Sequence, residues 1–375
     1  MKTFTSLLHR AGVVLCLGAA AALVHAQDFR KVYDGVEYAA ETRELGGVKV
    51  NIHLLKLDLR KVRLDVRHAG DKAVGVERTS SIAARSGAIA AINAGFFRLD
   101  KSQFAGDDVG MLMIDRSLWS EPSSNRTVLS ITNARRMTDI SFDQWSFAGY
   151  LRWRSRDHPR VLKGINREVK DNEVVAFTPA YGSVVPSKDG AAFVVTRKRR
   201  VVSICADKCE IPADGVVFAG TGAGAEFLKQ IRVRDRLEPV WDVVSIDGRR
   251  RSHLIEDAVA GVPRLIRNGK VDIPWSEEKS SRSFVETRHP RTAVAKLSDG
   301  KLLMIVVDGR SESSGGIALV ELANYLLQLG AVDAMNFDGG GSSTMVLDGR
   351  VVNHPSDREG ERPVSDAILV SPRRK

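Results

Sequence analysis

This 375-residue chain has little cysteine, little aromatic surface and no long apolar run beyond its first 26 residues. Only three cysteines are present, and no HExxH pattern, paired-histidine spacing or calcium-loop motif appears, which removes the usual signatures of a resident metal. Aromatic residues make up 6%. None interleave with the basic runs at 197–200 and 373–375, so a stacking platform for nucleic acid is not expected. After the N-terminus no segment approaches the roughly 18 uninterrupted apolar residues of a membrane span, and stable membrane insertion is not expected. There is also no Pro/Ser-rich linker, internal repeat or low-complexity tract to divide the chain.

What is present begins with Lys2 and Arg10, an apolar run over 11–24 and small residues up to Ala26. That is the pattern of a signal peptide occupying 1–26, with cleavage near Ala26 and a periplasmic or secreted product. Cys16 lies inside the apolar run, without the preceding small residue of a lipoprotein site. Loss of Lys2 and Arg10 takes the net charge from +10 to +8, with 54 basic against 46 acidic residues. This balance suits anionic partners without choosing among them. Cys205 and Cys209, in CADKC, have no further ligand nearby for zinc. A small disulfide loop is expected, with free thiols as the alternative.

Alternation over 36–67, as in VKVNIHLLKLDL, predicts strands with one buried face, and 79–85 predicts a short helix. A buried strand over 88–92 runs into Asn93 and a glycine. The segment 220–225, GTGAGA, matches a dinucleotide loop only superficially. The helix predicted over 226–231 is too short for a standard crossover, and no suitably placed acid follows a second strand.

In the C-terminal third, apolar strands over 292–297 and 302–307 flank Asp299-Gly300, a hairpin signal. A two-residue turn there would put Arg291 opposite Asp308. A helical pattern over 317–327 closes at Gly330, and a strand over 334–337 follows. Strand, helix and strand at these lengths form a crossover whose two strands run parallel, so Asp308 and Asp338 leave the same sheet edge. The expected fold is mixed α/β (α+β): a strand-rich central sheet with flanking helices in a single large domain. Residues 27–84 form an N-terminal strand region packing on a main domain of 85–375.

The segment 336–343, NFDGGGSS, holds one carboxylate, three glycines and two hydroxyls at the end of an apolar strand. Glycines let a backbone turn sharply and bring its N–H groups close to an oxyanion or sugar. A surface turn is the competing reading, as is a cross-strand ion pair between Arg291 and Asp308. Two arginines, two acids and a glycine loop at one edge exceed what a turn requires.

At these residues the chain resembles the phosphodiester glycosidases. The matching pieces are AAINAGFF (90–97), FTPAYG (177–182), VPRLIRNGK (262–270), HPRTAVA (289–295), VVDGR (306–310), NFDGGGSSTMVLDG (336–349) and NHPSD (353–357). Ala260, Gly261 and the polar segment 365–367 depart from the family pattern. The resemblance implies hydrolysis between a sugar anomeric carbon and a phosphodiester, acting on cell-surface or exopolysaccharide glycans. Asp338 and Asp308 would be the catalytic acids. Arg291 and Arg310 would neutralise phosphate, and Asn93, Gly339, Gly340, Gly341, Ser342, Ser343 and His354 would contact substrate. No cofactor is expected, with a divalent metal such as calcium the minority alternative. The rival classes are a non-catalytic glycan-binding or assembly protein and a metal-assisted phosphodiesterase attacking phosphorus. Oligomeric state is not legible.

Overall fold

The computed structural model describes residues 28–123, 125–153, 159–248 and 252–373. The expected signal peptide and its cleavage site lie outside them. The chain is strand-rich, 47% strand against 11% helix, which bears out the mixed α+β class, with few helices. No helix among the described residues is long and apolar enough to cross a membrane.

Two sheets carry the site. The larger has eight strands in the order Arg30–Tyr33, Val36–Leu45, Val48–Leu57, Leu302–Val307, Arg291–Leu297, Ala331–Asn336, Arg264–Arg267, Lys270–Val271. The smaller has five, in the order Arg350–Val351, Met345–Leu347, Ala90–Asn93, Asp366–Pro372, Val62–His68. Between them lies one core containing Leu55, Leu64, Ile92, Val294, Met304, Met335, Phe337 and Ile368. On its other face the larger sheet packs against helix Leu319–Gln328, through Ile305, Val307, Leu322 and Leu326. Coverage on both faces is why Leu302–Val307 is apolar without interruption, as buried strands are.

Val48–Leu57 pairs along its length with Leu302–Val307. The strands within residues 28–68 are therefore woven into the two main sheets rather than packed on them as a separate layer. Asp257, itself buried, ties the smaller sheet to a third by accepting from Val66 N at 2.8 Å and Asp115 N at 2.8 Å. A further five-stranded sheet, with Gly215–Gly220 at its centre, has cores of its own. At its edge Cys205 and Cys209 form the expected disulfide, Cα–Cα 5.7 Å. The 220–225 segment ends in a helix of only six residues, Ala223–Leu228. Gly224 is required there because a Cβ would meet Glu173 O at 2.0 Å.

The hairpin register differs from the expected one. Arg291 lies opposite Val307, not Asp308. The turn takes three residues, 298–300, with Gly300 at φ +82°, a left-handed position that glycine fills in three-residue hairpin loops. The crossover is as expected in direction. Leu302–Val307 and Ala331–Asn336 both run antiparallel to Arg291–Leu297 between them, so they are parallel to one another and end at one edge.

Candidate active site

At that edge Asp308 and Asp338 follow their strands at the open end of the two-sheet core, but they engage different partners. Asp338 belongs to the seam between the sheets. Its N–H donates to Ala94 O at 2.9 Å, and its carbonyl accepts from Asn93 Nδ2 at 2.8 Å. Fully buried Asn93 also accepts from Thr292 Oγ1 at 2.7 Å and Thr344 N at 3.0 Å. With three bonds made inside the protein, Asn93 holds the Asp338 backbone in place. Burial raises the Asp338 carboxyl to about 6; the Ser342 hydroxyl, the Gly339 N–H and Arg362 pull it back only in part.

The three glycines serve three close approaches. A Cβ at Gly339 would stand 2.7 Å from Pro290 O. At Gly340, φ +62°, it would stand 2.9 Å from Arg310 Nη2, and at Gly341, 2.1 Å from Asp357 Oδ1. The backbone is not an open cradle, because four of its amides are already committed. Gly339 N donates to Asp338 Oδ1, Gly340 N to Pro290 O, Ser342 N to Gly339 O and Ser343 N to Gly340 O. The hydroxyls of Ser343 and Thr344 are buried without a partner.

Asp308 faces a polar cavity of about 370 Å³. Its Oδ1 accepts from Asn353 Nδ2 at 3.1 Å and from His354 N at 3.0 Å, and Oδ2 lies 3.4 Å from His53 Nε2. Tyr38 OH is 2.9 Å from His53 Nδ1. His354 therefore meets Asp308 through its backbone, while its side chain lines the cavity. Asn353 also donates to Ser343 O at 3.0 Å, which couples this cavity to the glycine loop. No arginine or lysine lines it.

The cations lie on the other flank. Arg291 is 1% exposed and donates to the carbonyls of Ile317, Phe284 and Thr287, leaving Nη1 without a partner. Arg310, in the left-handed region at φ 61°, has His289 Nδ1 at 3.4 Å and no carboxylate partner among the described residues. Burial and the neighbouring Arg310 lower Arg291 to about 10. Burial and both arginines likewise lower His289. With no acid between them among the described residues, these cations concentrate positive charge on this flank. Among the described residues, no group of three or more His, Cys, Asp and Glu is arranged to hold a metal ion.

Several of these residues escape sequence reasoning. His53 and Tyr38 sit in ordinary alternating strands, and only pairing with Leu302–Val307 brings them to Asp308. His289 and Asn353 lie inside the motifs HPRTAVA and NHPSD, which were signals enough. Asp366, Asp108 and His68, buried behind Asp338, carried none beyond the polar ending at 365–367.

Fold and geometry together give a two-sheet core with carboxylates and cations clustered at one sheet edge. The sequence model of the phosphodiester glycosidases matches residues 208–371, and over that segment the chain is similar to the family. One relative is the N-acetylglucosamine-1-phosphodiester alpha-N-acetylglucosaminidase of Mus musculus. It is 40% identical over 156 residues, covering 39% of this chain and 26% of that protein. The chain matches about a quarter or less of the length of such curated relatives. Among solved structures, a hypothetical protein from Synechocystis has TM-score 0.78 at 22% identity, over 92% of this chain and 63% of that one. A protein of Burkholderia pseudomallei described as exported has TM-score 0.77 at 23% identity, over 88% of this chain and 76% of that one. These two share the fold.

Proposed function

We propose that this chain hydrolyses the glycosyl bond of a sugar-1-phosphodiester, releasing the sugar and a phosphomonoester. The observation that carries the reading is the pair of arginines without acid partners beside a buried, partly open carboxylate: Arg310 against Gly340, Arg291 behind it, and Asp338 heading the same loop. A phosphodiester seated on Arg310 would offset the repulsion between Arg310 and the buried Arg291, and its phosphate would leave as a stabilised phosphomonoester anion. Asp338 would present an anionic oxygen to the oxocarbenium-like carbon. Its carboxyl at about 6 suits a nucleophile or base that works near neutral pH. The cavity at Asp308, lined by no arginine or lysine and rich in acceptors, suits the hydroxyls of a sugar ring rather than a phosphate. We further infer that the protein is exported after cleavage near Ala26, a reading supported by the leader pattern and the exported Burkholderia structure. N-terminal sequencing of the exported protein should begin at Gln27.

The test is hydrolysis of a panel of sugar-1-phosphodiesters in ¹⁸O water by the wild type, Asp338→Asn and Arg310→Ala. The label is expected on the released sugar. Arg310→Ala should lower kcat/KM by about 10–100-fold, as loss of a charged hydrogen bond does. Label on the phosphate would place the attack on phosphorus. Glycan binding without any product, unchanged in Asp338→Asn, would make the chain a binding protein.

A further inference from the structure

Behind the Asp338 loop, three ionisable side chains lie out of contact with solvent and outside the chemistry just described. His68 ends the strand Val62–His68, opposite Asp366 in register, and is 0% exposed. Its Nδ1 is 3.3 Å from Ala69 O; its Nε2 is 3.1 Å from Gly106 O and 3.3 Å from Asp108 Oδ2. Both ring nitrogens face oxygen acceptors, so the ring satisfies its surroundings only as an imidazolium donating from each. Asp366 lies against Asp108, and its Oδ1 accepts from Gly95 N at 2.6 Å. Asp108 Oδ1 and Asp366 Oδ2 are buried without a donor, and Asp108 Oδ2 has only the 3.3 Å approach of His68 Nε2. Two adjacent carboxylates in that condition cannot both ionise, and one proton between them supplies the missing donor.

The position gives this proton a consequence. Ala94 N donates to Asp366 O at 3.3 Å, Gly95 N holds the Asp366 carboxyl, and Ala94 O receives Asp338 N. The carboxyl that grips this turn is therefore one turn away from the carboxyl of the site. An anion at Asp366 would repel an anion at Asp338; a neutral acid would not.

We propose that Asp108 and Asp366 share one proton, anchored by the imidazolium of His68, and that neutral Asp366 positions the Gly95 turn and lets Asp338 ionise. The role in catalysis rests on the function proposed above; the shared proton does not. Burial, then Asp108 and Asp338, raise the Asp366 carboxyl, against the Gly95 N–H. Burial alone would lower His68, but Asp108 and the two carbonyls raise it. The other ionisable groups facing the cluster are Asp107, which burial, Asp108 and Glu121 push up to about 8 against Arg167 and Arg98, and Arg362, which faces Asp338.

The variants are Asp366→Asn, which keeps an acceptor for Gly95 N and a donor for Asp108, and Asp108→Asn, which frees Asp366 to ionise. Asp366→Asn should keep its fold and its kcat/KM within about threefold, with the acidic limb of the pH profile unmoved. Asp108→Asn should move that limb up by about one pH unit, since Asp366 then becomes an anion beside Asp338. At neutral pH the full chain should show protonated-carboxyl absorption, to which Asp107 also contributes, and the infrared difference between wild type and Asp366→Asn should contain a band that the substitution removes. This readout needs no substrate, and it stands even if Asp108→Asn fails to fold. A missing band, a hundredfold loss in well-folded Asp366→Asn, or a band abolished by stoichiometric binding of calcium or zinc would each overturn the shared proton. A band that behaves as expected in a chain hydrolysing no sugar phosphodiester would keep the shared proton and remove the proposed function instead.

Discussion

At the scale of single residues, Asp338 carries the most weight. Its carboxyl is raised to about 6, chiefly by burial, so it is an anion above that pH and neutral below it. If the anion is the working form, kcat/KM falls as pH drops through about 6, and a pH–rate profile measures this directly. Asp338→Asn should lower kcat/KM by about 10²–10⁴-fold, the range for a positioned acid or base. The sign for stability is the opposite of the sign for activity. A carboxyl raised in the folded state stabilises the fold as pH falls from about 6 toward its ordinary value, and its ionisation at neutral pH opposes folding. Asp338→Asn should therefore melt no lower than wild type at pH 7 by calorimetry, as expected of a site that gives up stability for chemistry. Arg291 differs from Arg310 at the same scale, because three carbonyls hold its guanidinium. Its removal would be felt in folding as well as in binding.

At the scale of elements, the parallel strands before Asp308 and Asp338 follow from local pattern. Apolar strand, amphipathic helix and apolar strand leave few other arrangements. The hairpin register did not follow, because an Asp-Gly pair serves two- and three-residue turns alike, and one residue of slip turns Arg291 away from Asp308. Contacts between sheets were equally hidden. Asp257 bonds two main-chain amides on different strands, and nothing near it in sequence announces them. Asp257→Ala should cost about 2–4 kcal/mol, for two buried donors left unpaired, as measured by denaturant unfolding. The short disulfide is a smaller matter. Replacing Cys205 and Cys209 together by serine should cost roughly 2 kcal/mol or less, since the closed loop is only five residues long.

At the scale of the whole molecule, the N-terminal strands are part of the site and not a preface to it. Val48–Leu57 completes the larger sheet and brings His53 to Asp308. A fragment of residues 85–375 should lack a cooperative thermal transition by circular dichroism, because the inner strand Leu302–Val307 would become an exposed apolar edge. A fragment that melts cooperatively would restore the boundary near 85 that the motifs suggested. The sequence by itself determined the resemblance to a family, the strand-rich class, the crossover and the acids at its end. These depend on residue type and on period over short spans of chain, which are local properties. Only the tertiary structure decided that Asn93 serves Asp338 from within, that the glycine loop has committed its own amides, and that His53 and Asp366 stand beside the acids. The loop's amides are committed by its own tight fold and by Pro290, and the other facts arise from pairing between strands hundreds of residues apart; no period along the chain encodes either.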